Sequence, residues 1–144
     1  MGALVNMYIK LRISGIGLNL QEITDQLGFM PASAGKKGDI IPSKWQTDVA
    51  TILPEDVWLG EHKFDNATNP EHEIEQFAIR LRPSAPYLKS LSKKHSITFW
   101  ITAYPEGEQA NVHVSALTID ILSEIGATLD CSMLFLKDFY EGKY

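Results

Sequence analysis

From Leu4 to Ile13 apolar and polar positions alternate without a break. Val5, Met7, Ile9, Leu11 and Ile13 point one way, and Asn6, Tyr8, Lys10 and Arg12 point the other. A period of two predicts a strand with one buried and one wetter face. Ser14-Gly15-Ile16-Gly17 ends it. The period then lengthens. Leu20, Ile23, Thr24 and Leu27 form a helical stripe, with Asn19 as N-cap, Glu22 completing a capping box, and Leu18 and Ile23 spaced as a hydrophobic staple. Gly28 suits the left-handed residue that closes a helix, and Pro31 opposes its continuation.

The rest of the chain reads in the same terms. Ala32 to Ser43 is expected to be loop. Lys44 to Leu53 and Val57 to Phe64 are expected to form a hairpin about Pro54-Glu55-Asp56, followed by polar loop from Asp65 to Pro70. Ile74, Phe77, Ala78 and Leu81 define a helix over Glu71 to Leu81, and Pro83 and Pro86 separate it from a short helix at Pro86 to Lys93. Ser96 to Tyr104 alternates again, with Ile97, Phe99, Ile101 and Ala103 inward and Thr98, Trp100, Thr102 and Tyr104 outward. Pro105 to Glu108 reads as a turn and Val112 to Val114 as a short strand. Ser115 caps a helix carrying Leu117, Ile121, Leu122 and Ile125, which Gly126 closes. Ala127 to Leu136 is the last strand, with a frayed tail over residues 137–144.

The resulting order, β-α-β-β-α-β-β-α-β, predicts an α+β two-layer sandwich. It has a mixed or antiparallel sheet of about six strands and three main helices, in a single domain over residues 1–144. The expected core comprises Ile9, Leu11, Ile23, Leu27, Phe77, Leu81, Phe99, Ile101, Leu122, Ile125 and Leu129.

Composition narrows the classes. Hydrophobic residues at 44% and charged residues at 22% belong to a folded chain rather than a disordered one. A net charge of −5 argues against sequence-independent nucleic-acid binding. Cys131 is the sole cysteine, so no internal disulfide can form. With no signal-like N-terminus and no membrane-length apolar run, a cytoplasmic protein is expected.

The candidate chemical motifs are incomplete. Gly15-Ile16-Gly17 lies where a dinucleotide fingerprint would begin, but Leu20 stands in place of its third glycine. Gly35-Lys36 is followed by Lys37 instead of Ser or Thr, and Met30 occupies the place of the leading glycine of a phosphate loop. Gln76 stands four residues after His72, where a helical zinc site wants a second histidine. His113 reads as a strand-end residue beside Ser115. Cys131 has no neighbour in sequence to lower its pKa and reads as a small buried hydrophobe. No catalytic residue, metal site or cofactor is therefore expected, and the chain leans away from an enzyme; an enzyme whose site is not readable from sequence stays an alternative, because catalytic groups assemble from residues far apart in the chain.

Several of these residues occur together in a known pattern. They are Ile13-Ser14-Gly15, Leu18-Asn19 leading into Glu22-Ile23-Thr24-Asp25-Gln26-Leu27-Gly28 and Pro31, Lys37-Gly38-Asp39, and Val114-Ser115 through Gly126-Ala127. A tryptophan also follows Asp39 in the pattern, either Trp45 or Trp58, with Trp58 favoured by its position before the polar loop and helix. Together they resemble the small bacterial domain-of-unknown-function family numbered 4279, over nearly the whole chain. The resemblance implies the fold and its boundaries and carries no established activity. Some relatives are suspected to be immunity proteins in bacterial toxin systems.

Two surfaces could engage a partner, expected to be a protein. If the first strand and the Ser96–Tyr104 strand are neighbours, Tyr8, Lys10, Arg12, Trp100 and Tyr104 share the face turned away from the core. Aromatic residues and Arg dominate interface energetics, so this face suits a non-catalytic binding or interaction module, for a small ligand or a peptide. The second is an acidic stretch. Glu55, Asp56, Glu61, Glu71 and Glu75, with Asp65 and Glu73, stand against the single base Lys63. Gathered on one side, they would suit an immunity-type inhibitor of a cationic toxin.

Overall fold

A computed structural model describes residues 5–42, 50–67, 69–105 and 112–133. Trp45, the Pro105-Glu106-Gly107-Glu108 turn beyond Pro105, the end of the last strand past Met133 and the 137–144 tail lie outside these residues. The elements are β1 (Val5–Gly15), α1 (Leu20–Leu27), β2 (Ser33–Gly35), β3 (Ile40–Pro42), β4 (Ala50–Ile52), β5 (Asp56–Ala67), α2 (Pro70–Leu81), a 3-10 turn (Arg82–Ser84), α3 (Ala85–Ser92), β6 (Ser96–Pro105), α4 (Ala116–Ile125) and β7 (Thr128–Met133).

The fold is α+β. The main sheet is mixed, in the order β2-β5-β1-β6-β7, and β3 and β4 form a separate two-stranded sheet. β1 lies at the centre, antiparallel to β5 on one side and to β6 on the other. β7 runs parallel to β6, as it must when α4 carries the chain back across the sheet.

The inward side chains of β1 (Met7, Ile9, Leu11 and Ile13) are fully buried, with Trp58 of β5 and Ile97, Phe99, Ile101 and Ala103 of β6. The helices cover that face and complete one core with Ile23, Leu27, Ile74, Phe77, Leu81, Leu88, Ile121, Leu122 and Ile125. Of the expected core residues, Leu129 differs in degree. It is half-buried, since β7 is an edge strand with a neighbour on one side only.

The helix ends follow their side chains. Asn19 Oδ1 accepts from Glu22 N–H at 3.1 Å, and Gly28 closes α1 at φ 78° with its N–H donated to Thr24 O. Ser115 Oγ accepts from Thr118 N–H at 3.1 Å, and Gly126 closes α4 at φ 74°. α2 begins earlier than the spacing predicts. Asn69 accepts from His72 N–H, and Pro70 occupies the first turn, where a missing N–H costs nothing.

Four expectations are corrected. The segment expected to be loop between Ala32 and Ser43 contains β2 and β3. Of the strand expected over residues 44–53, residues 44–49 lie outside the described residues, and the described part does not pair with residues 57–64, where β2 already holds Val57, Trp58 and Leu59. β4 pairs with β3 instead, and Leu53 bonds through its backbone to Gly38 and Asp39 at 2.9 Å each. β5 continues to Ala67 where a polar loop from Asp65 is expected, since its ladder with β1 extends that far. Val112 to Val114 forms no strand among the described residues.

Candidate functional site

β1 and β6 are hydrogen-bonded neighbours, so their outward residues meet. Asn6 lies opposite Tyr104, Tyr8 opposite Thr102, Lys10 opposite Trp100 and Arg12 opposite Thr98. On the other flank Tyr8 faces Lys63, Lys10 faces Glu61 and Arg12 faces Leu59 of β5. All five residues expected on the off-core face therefore share it. Glu61, Lys63, Thr98, Thr102, Asp130 and Ser132 complete the patch. The same period-two alternation that placed Tyr8 and Trp100 could have found Glu61 and Lys63.

The rings and cations are in contact. Tyr8 and Tyr104 meet edge to face, with centroids 5.9 Å apart and planes at 80°. Lys10 Nζ lies 5.7 Å and Lys63 Nζ 5.5 Å from the centre of the Tyr8 ring. Trp100 Nε1 donates to Ser132 Oγ at 3.4 Å, and the residue keeps 36% of its surface exposed. Arg12 is held near the end of the patch, donating to Ser14 Oγ at 3.4 Å and pairing with Glu55 Oε1 at 3.8 Å. The result is a partly solvated face of two tyrosines and a tryptophan interleaved with cations. No helix of the described residues packs on it.

The acidic stretch is not one surface, which corrects the second expectation. Asp56 is 5% exposed. Its carboxylate accepts from the backbone N–H groups of Gly17 (2.9 Å), Leu18 (3.0 Å) and Lys37 (2.8 Å), with Lys36 Nζ at 3.6 Å. Lys36 Nζ also donates to Leu18 O. Glu55 pairs with Arg12, and Glu61 sits on the sheet face beside Lys10. Glu71 and Glu75 remain together, on α2 in the opposite layer, where they border a shallow cleft with Asn69 and His72.

Asp56 also explains both incomplete glycine motifs. Gly17-Leu18 and Lys37 do aim backbone N–H groups at an anion, and the anion is the chain's own carboxylate. Those donors, Lys37 foremost, then Leu18, Gly17 and the Lys36 ammonium, hold the Asp56 pKa below its ordinary 3.8 against the opposing effect of burial. Asp39 locks the same loop by accepting from Lys36 N–H at 2.8 Å. The Leu18-Asn19 and Lys37-Gly38-Asp39 pattern is thus a structural joint.

Cys131 is exposed, which corrects the expectation of a buried thiol. It faces the core side of β7, but the edge position leaves that side incompletely covered. Partial desolvation and then the neighbouring Asp130 raise its pKa, which opposes thiolate chemistry. Among the described residues no group of three or more His, Cys, Asp or Glu side chains could hold a metal ion. No helix among them is long and apolar enough to cross a membrane.

Trp58, the tryptophan favoured in the sequence pattern, is fully buried under α1. It donates from Nε1 to Thr24 Oγ1 at 3.0 Å and meets Phe29 edge to face at 5.7 Å. It joins Thr24 of the Ile-Thr-x-x-Leu-Gly stretch to the sheet. Fold and pattern together define a two-layer α+β domain with a covered and an open sheet face. The chain belongs to the family called domain of unknown function (DUF4279), whose model matches residues 5–136. No curated protein and no solved structure matches it.

Proposed function

We infer that this chain is a non-catalytic binding module that engages a partner protein through the open face of its sheet. The observation that supports this reading is the register of β1 against β6. It sets Tyr8, Lys10, Arg12, Trp100 and Tyr104 side by side on a face that carries no helix of the described residues. Tyr, Trp and Arg carry most interface energy because they combine large contact area with polar or charged tips. A bacterial, cytoplasmic setting belongs to the same reading, with the exposed Cys131 kept reduced.

An immunity-type inhibitor acting through the acidic stretch has less geometric support. Asp56 is committed inside the chain and Glu61 lies on the other layer from Glu71 and Glu75. The test is affinity capture from a bacterial lysate with three baits: the unaltered chain, Tyr8→Ala/Trp100→Ala and Glu71→Lys/Glu75→Lys. A partner held by the first and third and lost from the second supports the sheet face. A partner lost only from the third would move the site to α2.

A further inference from the structure

On the helix side of the sheet, away from the face just described, α2 and the far half of β5 border an open cleft of about 250 Å³. His62, Phe64, Glu73, Gln76, Phe77 and Arg80 line it. The strand contributes His62 and Phe64, which alternate to the core side with Trp58 and Gly60. The helix contributes Glu73, Gln76, Phe77 and Arg80, spaced at i, i+3, i+4 and i+7 along one face.

The walls are rings. His62 and Phe64 lie 4.2 Å apart between centroids, and Phe77 packs inward against Phe99 at 5.7 Å with the rings tilted by 58°. Over Gly60 the chain fills the equivalent space with its own side chain. A Cβ at Gly60 would come within 3.0 Å of Phe29, so that ring rests directly on the strand backbone. Two strand positions further, beside His62, the same shelf carries the cleft instead of a ring. The size, just below the usual range for ligand sites, restricts an occupant to about one bicyclic ring system.

Charge selects the ligand. The Arg80 guanidinium lies 4.4 Å above the Phe29 ring, which orients it at the cleft edge. Among the described residues no carboxylate lies within ion-pair distance of it. Guanidinium recognises a planar carboxylate in a two-point geometry. Gln76 adds an amide that can donate or accept beside it. Glu73 stands two helical turns away, so an anion drawn to Arg80 need not approach it.

We propose that this cleft is a binding site for a small planar aromatic carboxylate, with its ring system between Phe64 and Phe77 and its carboxylate on Arg80. The site is separate from the sheet face and does not depend on it.

The experiment is a titration of the full chain, labelled for amide NMR, with 2-naphthoate and with 2-naphthylmethylamine, which shares the ring system and reverses the charge. The expected result is saturable shifts for 2-naphthoate centred on residues 62–64 and 76–80. Arg80→Gln, at an exposed position, should weaken binding about tenfold or more, the usual cost of losing a charged hydrogen bond. Gln76→Trp should fill the cleft and abolish binding while keeping the fold, read from the same spectrum. Three outcomes overturn the proposal: no saturable shift with 2-naphthoate, equal or tighter binding of the amine, or shifts centred on Lys10 and Trp100. The third would count for the sheet face as a binding surface, so the two readings fail separately.

Discussion

Asp56 shows how one buried carboxylate joins parts of the chain that are far apart in sequence. It ties the β1–α1 turn, the loop before β3 and the start of β5 into one joint. Its pKa is lowered in the folded state, so the stability it contributes is present in full well above 3.8. That stability is lost as pH falls from there through the lower folded-state value. Asp56→Asn should therefore lower the urea midpoint at pH 7, and its deficit relative to the unaltered chain should shrink below pH 3.8. A deficit that stays constant with pH would show that charge is not what the joint uses. Two glycines permit a second comparison. Gly28 and Gly126 both sit at positive φ, but a Cβ at Gly28 meets open space while one at Gly126 would collide with Ser92 Oγ. Gly28→Ala should cost about 1–2 kcal/mol for the left-handed backbone alone. Gly126→Ala should cost more, because Ser92 must move. Thermal unfolding of the two variants checks the order.

At the level of elements, legibility followed the strength of the local signal. β1, β6, α1 and α4 were readable because period, cap and terminal glycine all agree, as at Asn19 with Gly28 and Ser115 with Gly126. The segment between Pro31 and Asp56 was not. β2 and β3 are three residues each, too short for a period to show, and their partners are chosen by tertiary contacts. The described part of the expected hairpin, residues 50–52, pairs with β3 for that reason: the outer edge of β5 at Val57 to Leu59 is occupied by β2. The aromatic face was readable because alternation on two long strands fixes it once they are neighbours. The acidic surface was not, because sequence proximity of Asp56 to Glu61 says nothing about whether either faces solvent. Ile125, at the end of α4, is fully buried. Ile125→Ala should cost about 2–5 kcal/mol, whereas Ser115→Ala at the other end of the helix should cost about 1 kcal/mol. Urea unfolding of both variants separates packing from capping. Equal losses would contradict the packing assigned to α4.

The molecule as a whole is asymmetric. One face of its sheet is sealed by helices and the other presents aromatic rings and cations. Trp100 retains 36% of its surface on that open face while Trp58 retains none on the sealed one. Trp100→Ala should therefore change stability little, within about 1 kcal/mol, by comparison with about 3–5 kcal/mol for Trp58→Ala. If the open face is the binding surface, the same Trp100→Ala should weaken a partner about tenfold or more. The most direct test is covalent footprinting of the chain alone and in complex with a captured partner, using lysine and carboxylate reagents together. The account predicts protection of Lys10, Lys63 and Glu61 in the complex, with Glu71 and Glu75 labelled equally in both states. Protection of Glu71 and Glu75 with Lys10 and Glu61 unchanged would contradict it.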